Sequence, residues 1–323
     1  MEKNERNIKM WSTIGPRATV GIVAYELAKK IENLMVLTCD VSTSAGLDRY
    51  RKSYPDKYLD LGIAEQNMIG VAAGLASENY NVITTTFAPF QTMRCCEQIK
   101  VNLGYMKQKV TMVGIASGLV LGTLGYTHCC IEDIGVLRSI PNLTIISPAD
   151  SLETVKALEE LMNYDHSAYL RITGSSNNPI VYKKDYDFKI GKSISIKEGK
   201  DITIFCTGSM VYQTLEASKL LEKESISVKV VNIHTIKPID KEAILDSCKS
   251  KLVVTVEEHN IIGGLGSAVS EIISTVKNSP KQLFLGLKDT YSKGGNYNYL
   301  KVKFRLTPEM ICEDIKKILF KKN

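Results

Sequence analysis

The sequence predicts an α/β protein of two doubly wound domains, each a mainly parallel sheet with helices on both faces. Three observations carry that expectation. Short apolar runs of strand length alternate with segments of helical period along nearly the whole chain. The alternation breaks once, in a polar, lysine-rich stretch around residues 180–200. The 323 residues are 44% hydrophobic, enough for two ordinary cores.

The first alternation opens with residues 17–32, where Val20, Val23, Ala24, Leu27 and Ile31 fall at helical spacing. The apolar run 34–37 reads as a buried strand. A helix of small residues follows Glu65 (Val71, Ala72, Ala73, Gly74, Ala76), a composition that lets another helix approach closely. Next come a strand near 82–85, a helix near 91–101 and a strand at 110–115. After a Gly-rich loop follow a helix from about 132, a strand at 143–146 and a helix after Pro148-Ala149-Asp150. Residues 181–201 have no helical period, so the domains are expected at 10–185 and 195–323. The second alternation places strands at 202–206, 228–231, 252–256 and 283–285, with helices near 210–222, 240–247, 266–276 and 308–319.

Composition excludes several classes. Lys+Arg (41) exceed Asp+Glu (35) by six, and charged residues are 24% of the chain. The surplus is spread out, apart from Lys316, Lys317, Lys321 and Lys322, and no basic stripe with interleaved aromatics suggests nucleic acid. A mild positive charge favours anionic substrates or an acidic partner. Eight cysteines, with vicinal pairs at Cys95-Cys96 and Cys129-Cys130, show neither CxxC nor zinc spacing and read as buried free thiols. The start, MEKNERNIKM, lacks the apolar stretch of a signal peptide, and no run approaches transmembrane length. The expectation is a soluble cytoplasmic protein.

The most informative stretch runs from Asp60 to Ala76, DLGIAEQNMIGVAAGLA. A strand-like run ends in Gly, and Glu65 opens a helix. By position alone such a Glu complements the helix dipole. Phe87 and Phe90 in TFAPF, taken alone, read as core. His128 in GYTH, taken alone, reads as a structural loop histidine.

Together and in this order, GIAEQNMIGVAAGLA, TFAPF, GYTH and SIPNLTIISPAD resemble the C-terminal half of the transketolase family, over nearly the whole chain from about residue 10. The resemblance implies a pyrimidine-binding domain for thiamine diphosphate followed by a smaller transketolase C-terminal domain. It implies that Glu65 contacts N1′ of the cofactor's aminopyrimidine, a role that calls for a carboxyl buried beside an aromatic heterocycle. The carbon chemistry belongs to the cofactor. Phe90 matches the ring that packs on the pyrimidine, and Phe87 lines the same pocket. Asp40 matches a cofactor-contacting Asp. Val41 matches the residue that props the bent cofactor, usually a larger Leu. His128 matches a catalytic, substrate-binding histidine, and Arg17 and Ser44 match substrate-phosphate contacts.

Some positions depart from the family. An ungapped alignment puts Ala116 and Leu124 where a substrate histidine and a hydroxyl-reading aspartate stand. A second phosphate arginine falls at Gly174 or Ser175, and the nearby Arg171 aligns one strand position too early to replace it. An unusual acceptor follows, less phosphorylated or with its anion elsewhere. The Gly-Asp-Gly…Asn motif that holds Mg²⁺ and the diphosphate is absent. Gly263-Gly-Leu-Gly266 resembles a phosphate loop but matches a structural helix start in the C-terminal domain. His259 and Glu257 read as domain packing or a dimer contact.

The resemblance therefore implies the C-terminal subunit of a split, two-chain transketolase. An N-terminal subunit would supply the diphosphate domain and most Mg²⁺ ligands, in an α2β2 heterotetramer. Two alternatives stand beside it. One is the β subunit of a 2-oxo-acid dehydrogenase or another thiamine-diphosphate enzyme. A deoxyxylulose-phosphate synthase usually has His where this chain has Asn67. The other is a non-catalytic regulatory or scaffolding subunit.

Overall fold

The computed structural model describes residues 1–320. Among these residues twelve strands form two sheets. They are β1 (Leu34–Thr38), β2 (Tyr58–Asp60), β3 (Asn81–Phe87), β4 (Val110–Ile115), β5 (Leu143–Ile146), β6 (Ser167–Arg171), β7 (Ile194–Lys197), β8 (Ile202–Cys206), β9 (Val228–Asn232), β10 (Thr235–Lys237), β11 (Leu252–Asn260) and β12 (Lys281–Leu287). The first sheet has the order β10-β5-β6-β4-β3-β1-β2 and the second β12-β11-β8-β9-β7. All neighbours run parallel except the edge pairs β10/β5 and β7/β9.

Strands β1, β4, β5, β6 and β8 are buried along their whole length. Helices cover both faces, so a continuous apolar run, not an alternating one, is what such a strand needs. On one face of the first sheet Trp11, Val20, Val23 and Leu27 pack against Val36 and Ile83. On the other, Met68, Ile99 and Ile134 share one cluster with Phe205, Val231 and Leu265, so the two sheets join through a common core. No helix among the described residues is long and apolar enough to cross a membrane.

Several features differ from the sequence expectations. Helix Glu5–Ile14 precedes the first expected helix, capped by the Asn4 side chain on the Asn7 N–H. β10 leaves the second half of the chain and closes the first sheet antiparallel to β5. The expected helix at 91–101 is instead a four-residue helix Ala88–Gln91, a turn, a three-residue helix Cys96–Gln98 and a π-helix Ile99–Tyr105. The wider π turn keeps Ile99, Leu103 and Gly104 on the buried side. Finally, Ala72 and Ala73 of helix Glu65–Ser77 pack in one cluster with Ile99 and Leu103 of the π-helix, whereas among the described residues nothing lies within 4 Å of a Cβ built on Gly70 or Gly74. The lysine-rich stretch also packs down, because Tyr182 and Tyr186 stack at 4.2 Å and Tyr186 donates to buried Glu153 at 2.6 Å.

Candidate functional site

Strands β4, β3, β1 and β2 are neighbours, and the residues singled out in the sequence follow their C-terminal ends in that order. That edge of an open parallel sheet is where ligands of doubly wound folds bind. His128 lies on the loop after β4, Phe87 ends β3 with Phe90 in the next turn, Asp40, Val41 and Ser44 follow β1, and Glu65 follows β2.

Glu65 is the first residue of helix Glu65–Ser77 and is 3% exposed. Its Oε2 accepts from Arg94 Nη1 at 2.7 Å. Arg94 in turn lies over the Phe90 ring, 4.1 Å from its centroid. Phe87 and Phe90 meet edge to face at 6.4 Å, and the His128 ring stands 5.4 Å from Phe90 and 6.2 Å from Phe87. One connected cluster therefore runs Glu65, Arg94, Phe90, Phe87, His128. A carboxylate beside two apolar ring faces is a fitting cradle for a flat nitrogen heterocycle. Cys39 and Cys95 border the cluster, and burial pushes their thiols up to about 11 and about 12, so neither is a ready nucleophile.

Asp40 has an exposed side chain and φ +56, and its N–H donates to Asp60 Oδ1 at 2.9 Å. The same oxygen accepts from Gly62 N–H at 3.1 Å, so Asp60 ties the β1 and β2 loops together. Val41 and Ser44 are half-buried in that loop. Arg17 sits half-buried in the first turn of helix Pro16–Ala28. This helix touches the loop closely: a Cβ on Gly21 would stand 2.0 Å from the Gly46 carbonyl oxygen. Arg17 and Ser44 thus lie on two elements, helix Pro16–Ala28 and the loop after β1, that touch at Gly21 and Gly46.

The His128 loop is clamped from the second sheet's side. Gly118 and Cys130 exchange backbone hydrogen bonds at 2.8 and 2.9 Å, and the Leu119 N–H donates to Glu258 Oε1 at 2.6 Å. Tyr126 packs on Tyr291 at 4.8 Å, and its hydroxyl meets Ser292 Oγ at 3.0 Å. His128 Nδ1 meets Thr127 Oγ1 at 3.0 Å, and among the described residues Nε2 has no hydrogen-bond partner. Below the loop, buried Arg171 pairs with buried Asp133 at 2.8 Å and donates to the carbonyls of Cys130 and Glu258. Arg171 is therefore internal and does not face the site.

Of the specificity positions, Ala116 is buried with φ +54, Leu124 is exposed, and Gly174 (φ +84) packs against the Asn178 side chain. The N–H groups of Leu265 and Gly266, which a phosphate would need, are already bound by Glu257 at 2.7 and 2.8 Å. His259 and Glu257 are buried at the junction of the two halves, with His259 Nε2 receiving the Gly135 N–H at 3.3 Å.

A family model described as transketolase, pyrimidine binding domain, matches residues 13–178, and one described as transketolase, C-terminal domain, matches 191–311. The chain belongs to the transketolase family. It is 37% identical over 303 residues to a Methanocaldococcus jannaschii protein called a transketolase C-terminal section, covering 93% of this chain and 95% of that one. It is 36% identical over 300 residues to a 6-deoxy-6-sulfo-D-fructose transketolase subunit of a Clostridium species, covering 92% of each. A solved structure described as a split gene transketolase, inactive beta4 tetramer, superposes with TM-score 0.84 at 33% identity, covering 94% of this chain and 97% of that one.

Four residues that hold this candidate site together are not among those singled out in the sequence: Arg94, Asp60, Glu258 and Tyr291. The one available signal was for Arg94, the sole basic residue in the run from Phe87 to Gln98.

Proposed function

We propose that this chain is the C-terminal subunit of a split transketolase, transferring a two-carbon ketol unit from a ketose to an aldehyde or sugar acceptor. The observation that carries it is buried Glu65, opposite the Phe87–Phe90–His128 cluster at the C-terminal edge of the sheet. Those residues fit the aminopyrimidine of thiamine diphosphate: a carboxyl for a ring nitrogen and aromatic walls for the ring. When bound, that cofactor supplies the carbon nucleophile. Glu65 turns its free oxygen to the ring nitrogen, Phe87 and Phe90 exclude water, and Asp40 and Val41 border the cofactor's central part. His128 offers Nε2 to a substrate hydroxyl. Arg17 and Ser44 are assigned to a more distant anionic group of the substrate.

The same fit fails for Mg²⁺. Among the described residues no group of three or more His, Cys, Asp or Glu is placed to hold a metal. The diphosphate and Mg²⁺ are therefore assigned to a partner chain. Support comes from the rim: Ile63 is 75% exposed, Leu124 56% and Met93 38%, and Gly70 and Gly74 present an uncovered helix face. We assign these surfaces to an α2β2 heterotetramer in the cytoplasm. The folding units are proposed as 10–185 and 195–323, with β10 lent to the first sheet.

With Ala116, Leu124 and Gly174 in the specificity positions, the acceptor is proposed to lack the usual phosphate anchors. A missing charged phosphate contact costs about 1.5–3 kcal/mol of binding. The Clostridium relative, named for a sulfonated sugar, is in keeping with this. Ordinary turnover of ribose 5-phosphate as acceptor would remove the acceptor proposal. Glu65→Ala in the reconstituted pair tests the catalytic assignment. Turnover should be lost while assembly persists, and unchanged turnover would leave a scaffolding role.

A further inference from the structure

Arg94 lies in the turn between helices Ala88–Gln91 and Cys96–Gln98. It is held by both elements that build the site. Its N–H donates to the Pro89 carbonyl at 3.3 Å, and its own carbonyl accepts from Gln66 Nε2 at 3.1 Å, one residue past Glu65. The guanidinium lies over Phe90 at 4.1 Å while Nη1 reaches Glu65 Oε2 at 2.7 Å. A planar guanidinium held by a ring face and a carboxylate at once fixes the rotation of that carboxylate, which a lysine's point charge does not. Among the described residues Glu65 Oε1 takes part in no hydrogen bond.

We propose that Arg94 is a positioning residue for Glu65: by holding Oε2 it leaves Oε1 as the oxygen presented to a heterocycle bound beside Phe90. This rests on the assignment of Glu65 made above. The contact also couples the two walls of the site. Phe90 and Glu65 come from different strand ends, and Arg94 is the side chain that touches both.

The test uses the chain reconstituted with its diphosphate-domain partner, carrying Arg94→Met, Arg94→Lys or Glu65→Gln. Two quantities are measured: thiamine diphosphate affinity by calorimetry and steady-state turnover, with and without added guanidinium ion. Arg94→Met should lower kcat roughly 10- to 100-fold, the scale of one lost charge-assisted hydrogen bond, with ketose KM little changed. Cofactor binding should weaken roughly tenfold. Guanidinium should restore part of the lost turnover in Arg94→Met and none in Glu65→Gln, and Arg94→Lys should fall between parent and Arg94→Met. If Arg94→Met does not fold, Arg94→Lys carries the same comparison.

Unchanged kcat, or tighter cofactor binding in Arg94→Met, overturns the proposal; tighter binding would mean that Arg94 stands where the ring belongs. A loss that tracks only the amount of folded protein, without guanidinium rescue, overturns it in favour of a folding role. Full turnover by Glu65→Gln removes the assignment of Glu65 itself, a separate failure.

Discussion

Replacing Arg171 by Met probes how the site loop is held. Arg171 is 1% exposed, and burial disfavours its charge, yet Asp133 and Tyr169 outweigh that and hold it protonated. Its Nε donates to Asp133 at 3.0 and 2.8 Å, and its Nη2 donates to the Cys130 and Glu258 carbonyls at 3.2 and 3.0 Å. The methionine would fill most of the volume and remove all four bonds. Asp133, 0% exposed, would keep Tyr169 Oη at 2.7 Å as its remaining close donor. Breaking a buried pair from one side costs about 3–5 kcal/mol, because the other charge stays buried. At about 2–4 °C per kcal/mol, the melting temperature should fall roughly 6–20 °C. Urea unfolding followed by circular dichroism measures the loss. Adding Asp133→Leu removes the stranded charge, so the double variant should be destabilised by clearly less than the sum of the single losses. An Arg171→Met protein within about 1 kcal/mol of the parent would mean that the Arg171–Asp133 pair does not hold this loop.

Glu257 gives a pH prediction. Burial raises its carboxyl from the ordinary 4.5 to about 7, against the lowering by the Gly266 and Leu265 N–H groups. A raised folded value means the native state holds the proton more tightly. The stabilisation is complete below 4.5 and is lost as pH rises to about 7. Relative to Glu257→Gln, the parent should lose about 3 kcal/mol between pH 4.5 and 8, read from urea midpoints. His259, which burial lowers to about 4, is common to both proteins and cancels. Gly21→Ala drives a methyl to 2.0 Å from the Gly46 oxygen, so it should cost about 1–3 kcal/mol and displace the Asp40–Ser44 loop, seen as a lower melting temperature and weaker cofactor binding in the pair. Gly70→Ala meets nothing within 4 Å and should stabilise the isolated chain by about 0.5–1 kcal/mol, while weakening assembly if a partner covers that face.

Much of the fold was legible because central parallel strands are buried on both faces and appear as plain apolar runs. Residues 110–115, 143–146 and 202–206 are strands with those same bounds. What escaped depends on distant partners. β10 is three residues long and exists only because β5, some ninety positions earlier, offers an edge. The π-helix Ile99–Tyr105 keeps an apolar spacing that looks like an ordinary helix. In the site, Glu65, Phe87, Phe90 and His128 came from motifs, and the fold brings them to adjacent strand ends. Arg94 meets Glu65 across 29 positions, and Arg171 meets Asp133 across 38. Neither pair sits at a helical or strand spacing that could announce it.

This chain is proposed to carry half of a cofactor site. The most direct test is calorimetric titration of thiamine diphosphate with Mg²⁺ into the chain alone, the diphosphate-domain partner alone and their mixture. Stoichiometric, Mg²⁺-dependent binding should arise in the mixture, weaken with Glu65→Gln, and be absent from this chain by itself. Tight binding by the isolated chain would mean that it holds a complete cofactor site by itself.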